Sequence, residues 1–279
     1  MMDKQQLAAL VTDAQRGDSD ALGKLVEAVQ DDVYKIALRM VRHPLEAEDA
    51  TQEILVKAIT RLSTFRGEAE FQTWIYRVAV NHLLDRQKSA AERAELSFDK
   101  YAADLADGLS EPVGRSVPEQ ELLAEEVRLG CTLAMLSCLD RDHRVAYVLG
   151  EVFDATTAEG AWICEISEPT YRKRLSRARQ RVRHFVGEHC GLVAPEQAGC
   201  RCHLRVNRAL ELGRIDPENL LFVTHPQGAK AVEAATTDMK ELTTAAALMR
   251  RHPDYAAPGR LSAEIRALVS SGKFQILDE

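Results

Sequence analysis

The sequence predicts an all-α fold: two small helical domains joined by an acidic linker and followed by a helical C-terminal extension. Three observations carry it. Apolar residues recur at three- and four-residue steps through most of the chain, the spacing of one helix face. A stretch rich in Asp and Glu, punctuated by Gly108, Pro112, Gly114 and Pro118, interrupts that pattern between residues 89 and 119. The segment Ile166–Phe185 couples a narrow apolar stripe to a dense run of arginine, in a chain whose formal net charge is -7.

The first domain, residues 1–88, starts with Leu7, Leu10, Val11 and Ala14 at helical spacing. Ala21, Leu22, Leu25, Val26 and Val29 continue the stripe, followed by Val33, Ile36, Ala37, Met40 and Val41. His43-Pro44 breaks the helix, because proline disfavours helix in the residue before it. Pro44 then opens a new helix whose first turns carry Glu46, Glu48 and Asp49, matched to the positive end of the dipole. Its inward residues are Ala50, Ile54, Leu55, Ala58, Ile59 and Leu62. A loop over Ser63–Glu70 contains Gly67, and a last helix turns Phe71, Trp74, Ile75, Val78, Ala79 and His82 inward, with Trp74 in the core.

Residues 89–119 are expected to be weakly structured. Residues 120–189 form the second domain, with a helix over Arg141–Phe153 and a short one over Ala158–Cys164 capped by Thr156 or Thr157. Glu165-Ile166 makes a turn, Ser167 caps the next helix, and Pro169 is tolerable in its first turn. Residues 190–279 form the extension, with helices expected at Gly228–Arg251 and Leu261–Ser271.

Bulk properties exclude several classes. No apolar run approaches the roughly 20 residues that span a bilayer. The N-terminus has no cationic region leading into an apolar one, so the expectation is a cytoplasmic chain without membrane contact. Six cysteines are too few for a disulfide scaffold of this length, and Cys131, Cys138 and Cys164 fall on apolar helix faces, as core residues do. Neither a glycine-rich phosphate loop nor a nucleophile-base constellation is present, so an enzyme is not expected. Net negative charge argues against general coating of DNA and requires any polyanion contact to be local.

Ile166–Phe185 supplies that local patch. Tyr171, Leu175, Ala178, Val182 and Phe185 share one face, and arginine crowds the rest. With the short helix and turn before it, the segment takes the second position of a helix-turn-helix, whose N-terminal residues reach base edges while flanking cations hold phosphates. Arg172, Lys173 and Ser176 suit base contact; Arg174, Arg177, Arg179 and Arg181 suit phosphate, although some can instead touch protein.

Here the residues resemble a known family. Thr170-Tyr-Arg-Lys-Arg-Leu-Ser-Arg-Ala-Arg is similar to region 4 of extracytoplasmic-function (ECF) sigma factors, within the sigma-70 family. Leu45-Glu-Ala-Glu-Asp-Ala-Thr-Gln-Glu-Ile-Leu resembles their region 2.2, and the block from Phe71 to Asp85 resembles regions 2.3 and 2.4. The resemblance spans roughly Ala21–Gly191, and it makes the two domains a region 2 helical bundle and a region 4 helix-turn-helix. It implies that core RNA polymerase and promoter DNA are the partners and that no cofactor is required. Asp49, Gln52, Glu53 and Lys57 would dock on the β′ clamp helices. Region 4 would read the −35 element and dock on the β flap. Arg77, Asn81 and Arg86 suit opened −10 DNA, and the loop carrying Phe65 and Arg66 would form the pocket for a flipped base. An anti-sigma factor is a further partner the resemblance allows.

Departures stand beside the match. Glu165 replaces the small residue or glycine usual in the turn, and Ser167-Glu168-Pro169 replaces the usual helix opening. Gly160 weakens the short helix by about 1 kcal/mol relative to alanine. The extension adds His189, Cys190, Cys200, Cys202 and His203, a donor set suited to zinc or copper, or to redox chemistry. A loop of free thiols that binds nothing is the competing expectation. The tail beyond Leu204 is expected to fold back on one of the DNA-binding units or to bind polymerase. Two alternatives to a sigma factor remain at this level: a helix-turn-helix regulator and a cytosolic metal or redox sensor.

Overall fold

The structure is a computed structural model that describes residues 4–86, 96–112, 114, 116–223, 245–250 and 255–270. All its regular elements there are helical, and no strand occurs among the described residues. The helices are α1 (Lys4–Gln15), α2 (Ser19–Val41), α3 (Pro44–Thr60), α4 (Phe71–Asp85), α5 (Phe98–Ala106) and α6 (Val117–Ser137). They continue with α7 (Arg141–Tyr147), α8 (Thr157–Ile163), α9 (Glu168–His189), α10 (Val206–Glu211), α11 (Ala245–Arg250) and α12 (Gly259–Ser270). No described helix is long and apolar enough to cross a membrane.

The chain divides into two compact units. The first comprises Met1–Gln87, Ala161–Ser167 and Ala256–Glu279. Its core is the packing of α2 against α1, α3 and α4. Asp18 starts α2 by accepting the N–H groups of Asp20 and Ala21 at 2.9 and 3.0 Å, two of the donors a helix start leaves without partners. Arg42 ends it in the left-handed region at φ 69°, its N–H bonded to Leu38 O at 2.8 Å, and Pro44 then opens α3. Val33, Ala37, Ala50, Ile54 and Ala79 are at most 1% exposed, so small residues let the helices approach closely at the centre.

The second unit comprises Lys88–Gly160 and Glu168–Tyr255. Helix α9 packs on α7 and on α5. Arg144, 3% exposed, ties the end of α6 to α7 by donating to the carbonyls of Leu136 and Leu139 at 3.1 and 3.2 Å. The start of the extension folds onto α6: the buried Glu126 carboxylate accepts the N–H groups of Leu221, Phe222 and Val223 at 2.7, 3.1 and 2.9 Å.

Three sequence expectations change. The acidic stretch is not uniformly loose: Ser97 caps α5, and Tyr101 and Leu105 bury, Tyr101 stacking on Phe185 with ring centroids 5.6 Å apart. Helix α6 begins at Val117, with Pro118 in its first turn, earlier than residue 120. The expected single helix Arg141–Phe153 stops at Tyr147 and continues as a wider π turn over Val148–Val152. That turn carries Gly150, where any Cβ would come within 2.6 Å of Leu175. Residues 89–95, 113 and 115 of the linker, and most of the expected Gly228–Arg251 helix, lie outside the described residues; the described part of that helix is α11.

Candidate nucleic-acid interface

The turn before α9 is built from backbone. Glu165 N–H bonds to Trp162 O at 3.3 Å and Ile166 N–H to Ala161 O at 3.1 Å, with Glu165 in the left-handed region at φ 54°. Glycine adopts that conformation without the penalty an L side chain meets, which is the physical reason a small residue is usual there. A capping box starts α8: the Glu159 carboxylate accepts from Thr156 N–H and hydroxyl at 2.8 and 2.7 Å, and Thr156 Oγ1 accepts Glu159 N–H at 3.2 Å. Thr156 is therefore the cap, not Thr157.

Gly160 has a role that helix propensity hides. A Cβ there would lie 2.1 Å from the Tyr171 ring. Tyr171 is fully buried and donates its hydroxyl to Ala146 O at 3.3 Å. The missing side chain thus lets α9 insert Tyr171 beside α8. Leu175, Ala178, Val182 and Phe185 bury along the same stripe.

Burial of that stripe turns Arg172, Lys173, Ser176 and Arg177 to solvent. Among the described residues, Arg172, Lys173 and Arg177 pair with no carboxylate. Their neighbours differ: Arg174 pairs with Asp142 at 2.7 Å, and Arg179 pairs with Glu151, which is only 8% exposed. Arg181 stands 3.9 Å from Asp140 and 5.2 Å from the Phe98 ring. Expected as phosphate ligands, Arg174 and Arg179 first satisfy acids of their own unit.

In the first unit, Phe65, Phe71 and Trp74 form a triangle of rings with each centroid pair 5.5 Å apart. Gln15 pins the loop by donating to the carbonyls of Leu62 and Phe65 at 2.9 and 3.0 Å. Phe65, Arg66, Trp74, Arg77 and Asn81 line one open cavity of about 360 Å³. Trp74, expected in the core, is half-buried and forms part of that wall. Arg66 is exposed, whereas Arg77 is engaged by the Glu165 carboxylate and stands 4.5 Å over the Trp162 ring, both in the same unit. Arg86 is not free for phosphate either: it donates to Glu46 O at 3.0 Å.

On α3, Asp49 and Glu53 are exposed and Gln52 and Lys57 half-buried. Lys57 and Glu53 bracket His82 of α4. Lys57 Nζ lies 2.7 Å from Nδ1, and the Glu53 carboxylate lies 3.0 Å from Nε2. An ammonium only donates, so Nδ1 accepts and Nε2 carries the proton that faces Glu53. Burial first, then the Lys57 charge, hold His82 below its ordinary pKa, and Glu53 offsets only part of this.

The chain matches the Sigma-70 region 2 family over residues 25–93 and the Sigma-70, region 4 family over residues 129–182. The RNA polymerase sigma-H factor of Pseudomonas aeruginosa is 30% identical over 186 residues, 65% of this chain and 94% of that protein. The ECF RNA polymerase sigma-E factor of Escherichia coli (strain K12) is 32% identical over 174 residues, 62% of this chain and 90% of that protein. The chain belongs to the extracytoplasmic-function group of the sigma-70 family. As a sigma factor it binds core RNA polymerase and promoter DNA, and its family is not a class of enzymes. The ECF RNA polymerase sigma factor SigW of Bacillus subtilis is 26% identical over 62% of this chain and 92% of its own length. Among solved structures, CnrH in complex with the cytosolic domain of CnrY has a TM-score of 0.43 at 24% identity, over 64% of this chain and 94% of that one.

The sigma factor's cysteine loop departs from the expected ligand set. His189 packs against Phe185, ring centroids 4.9 Å apart, and His203 is exposed. Among the described residues no three His, Cys, Asp or Glu side chains converge as metal ligands do, so the five sequence-predicted donors are not brought together. What gathers instead is sulfur. Cys131, Cys190 and Cys200 pack against one apolar cluster, and Gly191 N–H bonds to Cys200 O at 3.1 Å. Burial pushes the Cys131 thiol up to about 12, with Cys190 and Cys200 adding to the rise. Cys202 is raised in the same way, by burial and then by Cys131, Cys190 and Cys200. Sequence spacing hid Cys131, which stands 59 positions before Cys190 on another helix.

Proposed function

We propose that α9 reads the −35 element of target promoters, with Arg172, Lys173 and Ser176 at base edges and Arg177 on phosphate. The single observation behind this is the contrast on α9: Arg172, Lys173 and Arg177 have no acidic partner among the described residues, while Arg174 and Arg179 do. Region 2, residues 1–88, then opens and holds the −10 element. The cavity walled by Phe65, Arg66 and Asn81 receives a flipped base, and Trp74 and the ring triangle give it an aromatic wall. Arg77 joins only after leaving Glu165, and Arg86 acts as a structural tie to α3. Asp49, Gln52, Glu53 and Lys57 dock on the β′ clamp helices, and region 4, residues 120–189, docks on the β flap. Residues 89–119 connect the two, and residues 190–279 regulate them. The protein acts in the cytoplasm, where an anti-sigma factor is a further partner, and catalysis belongs to the polymerase. Adding the purified chain to core polymerase with a promoter library tests this: specific initiation is expected, and no specific transcript would contradict it.

A second reading concerns the extension. The packing of Cys131, Cys190 and Cys200 against one apolar cluster supports buried thiols rather than a zinc or copper ligand set. Elemental analysis of the chain beside a Cys131→Ser/Cys200→Ser variant tests this: equal metal content in both is expected, and metal lost with the thiols would contradict it.

A further inference from the structure

Helix α12 lies beyond residue 182, where the family match ends. It belongs to the first unit and packs on α2 and α3. Leu261 and Ile265, one turn apart, are 2% and 1% exposed. A ring of polar contacts surrounds them. Arg260 pairs with Glu48, and Gln52 Nε2 donates to the Glu264 carboxylate at 3.3 Å. Arg266 pairs with Glu27, and its stem lies 3.7 Å from where a Cβ on Gly23 would stand. Asp31 accepts the Ala257 N–H at 2.9 Å just before the helix. The Glu48 carboxylate, and less strongly Glu264 and Asp49, hold the Arg260 guanidinium above its ordinary pKa.

The contacts to α3 fall on one side of it. Gln52 is bonded to α12 and Asp49 acts on Arg260, whereas Glu53 and Lys57 turn to His82. We propose that α12 is an intramolecular competitor for the polymerase-docking face of region 2, presenting Arg260 to the acidic residues that a basic surface of the polymerase would otherwise meet. The proposal rests on the assignment of Asp49 and Gln52 to polymerase docking. Its chemistry suits reversible cover. A helix of 12 residues is marginal on its own, and Leu261 and Ile265 are the large apolar side chains that anchor this one among the described residues. A partner that binds the open state pays for the closed fraction, so a tenfold excess of closed molecules weakens apparent affinity about tenfold.

The test uses the full-length chain and core RNA polymerase, with affinity and amide hydrogen exchange read on the same samples. Leu261→Asp/Ile265→Asp unseats α12. Expected is loss of protection over residues 259–270 with binding tightened about tenfold. Lost protection with unchanged affinity overturns the competitor, and weaker binding overturns it by making α12 part of the docking surface. Asp49→Ala/Gln52→Ala, made in the Leu261→Asp/Ile265→Asp background where α12 is already unseated, separates the underlying assignment: binding weaker than that background supports it, and unchanged affinity overturns it together with the proposal. Should the double Asp variant fail to fold, Arg260→Glu replaces it in the same assay, with tightening of several-fold expected and none overturning the competitor.

Discussion

The polar faces of α9 and α3 were read from the same kind of pattern, yet the structure treats them oppositely. On α9 the N-terminal cations Arg172, Lys173 and Arg177 stand exposed and without acidic partners among the described residues. On α3 several polar side chains are engaged, Glu48 and Gln52 by α12 and Lys57 by His82, while Asp49 and Glu53 stay exposed. A helix surface is thus available or occupied according to what the rest of the chain brings to it, which its own periodicity does not reveal. The α9 face is positioned by local packing, and the α3 face is covered by residues far along the chain.

The most damaging change to this contrast is in the seat of α9. Gly160→Val places a branched side chain where even a Cβ lies 2.1 Å from the Tyr171 ring. The second unit is expected to lose about 3 kcal/mol or more in chemical denaturation. A loss below about 1 kcal/mol would mean that the close approach of α8 to Tyr171 does not set the position of α9.

The next effect separates exposed from paired arginines. Arg172→Ala is expected to cost about 1–3 kcal/mol at one base position and to relax preference there. Arg177→Ala is expected to weaken all sequences alike and to reduce the salt slope of binding by about 1. Arg179→Ala should act first on stability, by about 1 kcal/mol, because it strips the partner from the nearly buried Glu151. Equal effects of the three on base preference would erase the distinction between them.

The smallest effect is a pH dependence at the α3 face. His82 has a folded pKa below its unfolded value near 6.5. Its native neutral form therefore contributes stability above that pH, and the contribution falls away as pH drops below it, because only the unfolded state takes up a proton there. Lys57→Met removes the neighbouring cation and should flatten this part of the pH–stability curve between pH 7 and 5. An unchanged slope would show that the Lys57 charge does not set the imidazole.

How much of this could be read from the sequence follows the same division. The stripe Tyr171, Leu175, Ala178, Val182 and Phe185 was legible because burial at helical spacing is a local property. The α5 helix was not read, although Ser97 followed by Phe98, Tyr101 and Leu105 is a cap and a stripe, because the surrounding acids and glycines masked it. Gly160 looked like a defect because propensity counts the helix alone, not the ring packed against it. The cover on Gln52 was out of reach, since Glu264 stands 212 positions away. The sulfur cluster was half legible: Cys190, Cys200 and Cys202 sit together in the chain, and Cys131 arrives only through packing of the extension on α6.

The most direct measurement is single-round transcription by core polymerase with this chain, on a selected promoter, comparing wild type with Arg172→Ala/Lys173→Ala. A specific transcript that falls at least tenfold in the variant, while both proteins bind core polymerase equally, is the predicted result. Equal transcript from both would contradict the assignment of α9 as the promoter-reading helix.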